Sequence, residues 1–399
     1  MSLRVLSCFS GAGGLDLGLE AAGFVNVGCL ETDPLARETL RLNRPGWPLL
    51  EPCDVVAAGT AITPRTLGME PRDLTLIAGG PPCQPFSKAA QWSGPKRGVT
   101  DERGNTVTGM MQLVGSFLPA AVLIENVSGF LAGANNARDT IEAEFASVNA
   151  THGTKYALQS WVVDAASFGT AQRRKRAIAI AFRDGAMPEC PPPTHDKPLT
   201  AWDALGAEAP SEPPAARGRY ADLLPCIPEG DNYLHLTSKG TGPELFGYRT
   251  RYWSFLLKLS KHEPAWTLPA SPGPSTGPFH WDNRPLTPRE VLLLQGFPGE
   301  WKLPGPTRVG QRLAGNATPP PLAEVFGRFI VAVLARGDTS RPTTDVIRPT
   351  LAAPRRTQPA PDAVPPAPLP ARWQPSVGPK ARHPGPGSGP GSIGVGRNR

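Results

Sequence analysis

The residue best placed for covalent chemistry is Cys83. It lies in Gly79-Gly80-Pro81-Pro82-Cys83-Gln84-Pro85-Phe86-Ser87, where three prolines and two glycines fix the path of the chain around a single thiol. A thiol attacks only as the thiolate, a few per cent of the population at neutral pH for a pKa of about 8.5, so such a nucleophile needs positive charge nearby. The other five cysteines, Cys8, Cys29, Cys53, Cys190 and Cys226, have no such setting and read as small hydrophobes. A second reactive group is Glu125, which follows the apolar run Ala121-Val122-Leu123-Ile124 directly and places a carboxyl at the end of a buried segment. The third is Gln172-Arg173-Arg174-Lys175-Arg176. In an extended chain Gln172, Arg174 and Arg176 share one side, which suits an anionic substrate or the carboxylate itself.

Beside these lies a candidate ligand loop. Phe9-Ser10-Gly11-Ala12-Gly13-Gly14 is a glycine turn, and Glu31 stands eighteen residues beyond Gly13, where an acid commonly takes a ribose hydroxyl pair. Asp54 offers an acceptor for an adenine amino group. The turn lacks the third glycine of a dinucleotide fingerprint at its usual distance, so a nicotinamide cofactor fits poorly and a nucleoside without a pyrophosphate fits better. No Cys-x-x-Cys or His-Glu-x-x-His occurs, so neither a disulfide framework nor a metal site is indicated.

These residues must be positioned by a sheet. The apolar runs Leu3 to Phe9, Phe24 to Leu30, Leu74 to Ala78, Ala120 to Ile124 and Ala177 to Phe182 are short and continuous, as buried parallel strands are. Helical faces alternate with them, one through Leu15, Leu19 and Ala22, another through Met111, Val114 and Leu118. The pattern predicts an α/β fold of the Rossmann-like kind, a mostly parallel sheet with helices on both faces. Ligands of such sheets bind beyond the carboxyl ends of the strands, and the candidate residues fall there. From 183 to 284 proline, glycine and polar residues interrupt every apolar stretch, which predicts a smaller irregular domain. Regular structure returns over 285–337, where Thr287-Pro288-Arg289-Glu290 carries a capping-box signature and Ala323 to Leu334 reads as a last helix.

The last 62 residues, 338–399, hold fourteen prolines, seven glycines and nine Lys or Arg against three Asp. That composition predicts a disordered basic tail. It also carries nearly all of the net charge of +7, so the basic balance says little about nucleic-acid binding by the folded body. No window of eighteen uninterrupted apolar residues occurs and the first residues show no secretory cleavage pattern, which predicts a soluble intracellular protein without a membrane partner.

Taken together, the chain resembles the DNA (cytosine-5) methyltransferases over about 1–182 and 285–334. Phe9-x-Gly11-x-Gly13-Gly14 looks like the cofactor motif, Pro82-Cys83-Gln84 the nucleophile motif, Glu125-Asn126-Val127 the acid motif, Gln172-x-Arg174-x-Arg176 the arginine motif and Gly315-Asn316-Ala317 the motif that completes the cofactor pocket. The order is the family's. The chain departs from it at three places: Ser7-Cys8 replaces Asp-Leu, Ala171 a common proline, and Thr318 a usual valine.

The resemblance implies S-adenosylmethionine as cofactor, held by Phe9, Gly11, Gly13, Glu31, Asp54 and Asn316. It implies catalysis by Cys83, Glu125, Arg174 and Arg176 on a cytosine extruded from duplex DNA. Residues 1–182 would then be the catalytic and cofactor-binding domain, 183–284 a target recognition domain containing Tyr248-Arg249-Thr250-Arg251-Tyr252-Trp253, and 285–337 the C-terminal part of the catalytic domain. A monomeric prokaryotic cytoplasmic enzyme is implied, acting alone or with a cognate restriction endonuclease that shares its site without a stable complex. A tRNA-methylating relative and a non-catalytic DNA-binding relative remain open, and a nicotinamide dehydrogenase is the weakest competitor.

Overall fold

The computed structural model describes residues 2–82, 105–131, 136–336, 342–359 and 366–374. The chain divides into two units. One comprises Met1–Glu208, Pro264–Ser271 and Thr287–Thr357, the other Ala209–Glu263, Pro272–Leu286 and Gln358–Arg399.

The first unit is built on a six-stranded sheet of β1 (Arg4–Cys8), β2 (Val25–Leu30), β3 (Leu76–Gly79), β4 (Ala121–Asn126), β5 (Gln159–Asp164) and β6 (Lys175–Phe182), in the order β2-β1-β3-β4-β6-β5. β1, β2, β3 and β4 pair in parallel, whereas β6 runs antiparallel to both β4 and β5. The mostly parallel sheet is therefore present with one strand reversed. That reversal matters, because Glu125 faces Ile178 and Asn126 faces Ala177 in the β4–β6 register. The start of β6, with its arginines, thus meets the carboxyl end of β4. β5 escaped the sequence reading because its apolar run is only three residues, Trp161-Val162-Val163, at a sheet edge where Val162 is exposed.

Alternate strand residues face opposite sides, so the sheet carries two cores. On one, Leu6, Ile77, Val122 and Ala179 pack with Met110, Val114, Phe117 and Phe145. On the other, Val5, Leu76, Leu123 and Ile178 meet Leu15, Leu19, Phe326 and Phe329. The capping box forms as read: Glu290 N donates to Thr287 Oγ1 at 3.2 Å and Thr287 N to Glu290 Oε2 at 2.8 Å, opening the helix Pro288–Leu294. Residues 307–336 have the length and composition of a membrane span, but the chain leaves helix after Asn316 and the apolar window is 78% buried in the unit.

The second unit holds its core with few regular elements. Leu223, Leu224, Ile227, Tyr233, Phe246, Phe255 and Phe279 are buried together, and Tyr233, Phe246 and Phe255 meet edge to face, a favoured aromatic geometry.

Two boundaries differ from the sequence reading. Residues 183–208 and 264–271 belong to the first unit, not to the irregular one. The backbone N–H groups of Thr194 and His195 both donate to Ser167 O, and Ala265 N donates to Ala171 O at 2.9 Å while Arg173 N donates to Ala265 O at 2.7 Å. A passing segment that adds backbone pairing leaves no composition signal.

The tail also differs. Over 342–359 and 366–374 it is ordered against the two units, Ile347 being fully buried and Leu369 nearly so. Prolines restrict the chain in advance, so a few anchors suffice to order it. The strongest anchor is Glu324 in the helix Pro320–Arg336, whose carboxylate has no solvent exposure. It accepts from Thr350 N at 2.8 and 2.9 Å, Thr350 Oγ1 at 2.8 Å and Leu351 N at 3.0 Å. Truncation after Ala335 would remove those donors and the buried Ile347, while Arg328 stays paired with the carboxylate at 2.8 Å, a loss of about 3 kcal/mol. The truncated protein should melt well below the full chain in thermal denaturation, and Thr350→Ala in the full chain should reproduce part of the difference.

Candidate active site

The loop after β1 is shaped by backbone that only glycine adopts easily. Gly11 and Gly13 have φ of 55° and 83°. A Cβ on Gly13 would lie 2.8 Å from Leu40 Cδ2, and one on Gly14 2.0 Å from Thr318 O, so the turn is pressed between two other segments. Phe9 shares the positive φ, at 60°, and its N–H donates to Leu30 O at 2.8 Å. Glu31 pins this loop from the end of β2. Its Oε2 accepts Gly11 N and its Oε1 accepts Asp33 N, each at 2.7 Å. Each carboxylate oxygen keeps a further lone pair for a ligand hydroxyl.

Asp33 caps the helix Pro34–Asn43 through Leu35 N and Ala36 N and pairs with Arg312 at 2.6 Å. Partial burial works against its charge, but Arg312 and the two backbone donors outweigh this and hold the carboxyl below its usual range.

Beneath the loop lies a second acid, Asp16, 2% exposed. Its Oδ1 accepts from Asn26 Nδ2 at 3.0 Å and Ser10 Oγ at 3.4 Å, whereas Oδ2 has no hydrogen-bond partner. Burial pushes its pKa up to about 6, with Ser7, Ser10 and Asn26 partly opposing. A raised folded-state pKa means the folded protein holds a proton that the unfolded chain releases near pH 4. The native state should therefore lose stability as pH rises from about 4 to about 6. Chemical denaturation across that window should show the decline, and Asp16→Asn should flatten it. Burial, with Asp16 as a further cause, also drives the thiols of Cys8 and Cys29 far upward, which leaves them inert.

At the end of β4, Glu125 is 7% exposed. Arg176 Nε lies 2.9 Å from its Oε1, and Thr318 Oγ1 donates to its Oε2 at 3.1 Å. Thr318, one of the three departures, thus gives the acid a partner that valine cannot supply. Thr318→Val should slow turnover by roughly three- to tenfold, the range of one ordinary intramolecular hydrogen bond, with cofactor affinity unchanged in calorimetry. Asn126 Nδ2 donates to Pro81 O at 2.7 Å and ties the start of the Pro81-Pro82 loop to β4. Cys83 itself lies outside the described residues.

Arg174 is 2% exposed, and its guanidinium donates to Gly315 O at 3.1 and 3.0 Å and to Ala317 O at 3.1 Å. These bonds hold the last turn of the helix Thr307–Asn316 and the residue that follows it. A cavity of about 530 Å³ collects Phe9, Gly11, Glu31, Glu125, Arg174, Arg176 and Asn316. Gly13 supports the loop without lining it. Asp54 is not brought there: it is exposed and caps the helix Val55–Ala61 through Val56 N. Sequence reasoning missed Asp33, Arg312, Thr318 and the wall formed by Leu268 and Ala270. Only Thr318 carried a signal, its proximity to Asn316. Among the described residues no cluster of His, Cys, Asp or Glu could hold a metal ion.

The cavity can thus hold a nucleoside-like ligand against the glycine loop with a planar, polar substrate beside Glu125. The profile of the C-5 cytosine-specific DNA methylases matches residues 3–332. The chain is 34% identical over 384 residues to the type II methyltransferase M.SacI of Streptomyces achromogenes, covering 86% of this chain and 96% of that one. It is 33% identical over 353 residues to the type II methyltransferase M.Eco47II of Escherichia coli, covering 83% and 79%. In fold it is similar to a candidate DNA modification methyltransferase encoded within an E. coli prophage, with a TM-score of 0.60, 22% identity, and coverage of 84% and 100%. The chain belongs to the C-5 cytosine-specific DNA methylase family.

Proposed function

We propose that the protein methylates carbon 5 of a cytosine within a specific sequence of double-stranded DNA, as the modification enzyme of a restriction-modification system. The observation that carries this reading is Glu125, clamped between Arg176 and Thr318 on the wall of a cavity shared with the Gly11 loop and Glu31.

The cavity suits S-adenosylmethionine: Glu31 has free lone pairs for ribose hydroxyls, the loop at Gly11 allows close backbone approach, and Phe9 and Asn316 complete the wall. When bound, this cofactor supplies an electrophilic methyl group. Cytosine C5 is too weak a nucleophile to take it unaided. Cys83 adds as thiolate to C6 and converts the ring to an enamine whose electron density reaches C5. Glu125 holds the pyrimidine at N3 and the exocyclic amine, donating a proton or hydrogen bond as N3 becomes electron-rich. Arg176 keeps that carboxyl oriented, and Arg174 holds the chain at Gly315 and Ala317 in place. After methyl transfer, loss of the C5 proton and elimination of the Cys83 thiolate release 5-methylcytosine.

C6 is shielded in a stacked duplex, so the base is extruded, at a cost of a few kcal/mol. The second unit offers the grip: Tyr252 and Trp253 are 52% and 54% exposed, and Arg249 stacks at 5.2 Å on the exposed Tyr248. Such a surface suits groove and base contacts. We read the enzyme as a cytoplasmic monomer that acts on chromosomal DNA and meets its cognate endonuclease only through the shared site. Incubation with labelled S-adenosylmethionine should label plasmid DNA and not transfer RNA. Labelled transfer RNA with unlabelled DNA would overturn the proposal.

A further inference from the structure

The catalytic unit has a second concavity, a groove of about 510 Å³ lined by Thr194, His195, Lys197, Arg348 and Arg355, with Asp196 as the one acid in the lining. Its walls come from segments 158 residues apart, and each is fixed separately. One wall hangs from Ser167, whose carbonyl accepts Thr194 N at 3.0 Å and His195 N at 3.2 Å. The other is held by Glu324 through Thr350 and Leu351 and by Asp203, whose Oδ1 accepts Arg356 N at 2.8 Å. Arg355 joins them, donating to Lys197 O and Pro198 O. At Gly169 the walls converge: a Cβ there would lie 2.9 Å from Ala352, 3.0 Å from Pro349 and 3.1 Å from His195.

Three permanent cations are therefore held together by built walls. The nearest acids offset them only in part. Asp345 is 3.7 Å from Arg348 and mostly exposed, while Asp203 is 3.9 Å from Arg355 and already accepts from Thr200 N and Arg356 N. The imidazole of His195 reports the balance: burial first, then the charges of Arg348 and Arg355, hold its pKa below the usual value despite Asp196.

The groove also has a telling position. Ser167 lies in the turn Ala165–Phe168, which follows β5 directly, and Asp164 at the end of β5 pairs with Lys175 at the start of β6. That is the sheet edge where Arg176 meets Glu125. With strands spaced about 4.8 Å apart, β5 stands roughly 10 Å from β4 along it. A duplex engaged at the cavity, as proposed above, would pass this end of the sheet.

We propose that this groove holds a backbone phosphate of the duplex, with Lys197, Arg348 and Arg355 as its charge partners. The inference rests on the DNA substrate proposed above. Arg348 and Arg355 lie beyond the matched family residues 3–332, so the ordered C-terminal segment supplies two of the three cations.

The test is equilibrium binding of a fluorescent 30-base-pair duplex across a salt series, with the full chain and with Lys197→Ala/Arg348→Ala. Arg355 is kept because it joins the walls. The variant should bind roughly tenfold more weakly at physiological salt and show a salt slope smaller by about one phosphate contact. Its methylation rate at saturating duplex should match the parent. Equal affinity and slope in two proteins that both methylate the duplex overturn the groove assignment and leave the activity standing. If the parent methylates no DNA, the activity proposal fails and inorganic phosphate judges the groove. A phosphate-dependent shift of the His195 imidazole resonance that vanishes in the variant supports the anion site, and no shift in the parent overturns it.

Discussion

Replacing Cys83 by serine should abolish methyl transfer, lowering turnover by at least about 10⁴-fold while duplex and cofactor still bind. The magnitude follows from the chemistry of the first step. A thiolate is accessible near neutral pH, whereas an alkoxide is not, and a neutral hydroxyl does not add to C6 of an unactivated pyrimidine. Without that addition C5 never becomes an enamine carbon. Electrophilic methyl groups placed beside it are then of no use. Three of the other cysteines cannot substitute. Cys8 and Cys29 are buried with their thiols pushed far upward, and Cys226 is raised by burial as well. A single-turnover assay with labelled cofactor checks this, and turnover within tenfold of the parent would remove Cys83 from the mechanism.

The second large effect is expected at Glu125. On the proposed mechanism Glu125→Ala removes the group that steadies the ring as N3 gains electron density, and the rate should fall by about 10²- to 10⁴-fold. Glu125→Gln keeps the shape and can still hydrogen-bond, so it should lose less. Glu125→Ala leaves Arg176, 2.9 Å away, without its partner, and Glu125→Gln leaves it a neutral one. Arg176→Ala should also be slow, and the double variant little slower than Glu125→Ala, because the two act as one unit. Additive losses would show that Arg176 works independently of the acid. Rates within tenfold of the parent in Glu125→Ala would show that the carboxyl is not engaged with the base.

The parts of the site legible in the sequence are those whose chemistry is local. A glycine turn after an apolar run, an acid after the next one and a carboxyl closing a third can each be read within a few residues, and Gly11, Glu31 and Glu125 do meet at one cavity or its supporting loop. What depends on distant chain could not be read. Arg174 donates to carbonyls 141 and 143 residues away, so its hold on Gly315 has no local mark. The apolar run at Ala177 to Phe182 announces a strand but not its direction, and only the antiparallel pairing brings Arg176 to Glu125. Asp54 misled because a helix-capping aspartate and a ligand-binding one look alike in sequence. The tail misled for a different reason: composition averages over sixty residues, whereas order there depends on a few contacts such as Ile347 and the Glu324 carboxylate.

The central claim is that the Cys83 sulfur bonds to the target ring during catalysis. Duplex DNA carrying 5-fluorocytosine at the methylated position tests it, because fluorine at C5 cannot leave as a proton and the cycle stops at the linked stage. With S-adenosylmethionine present, denaturing electrophoresis should show a protein–DNA adduct, and peptide mass spectrometry should locate it at Cys83. Free protein and free DNA after incubation on a duplex whose unfluorinated form is methylated would contradict the account.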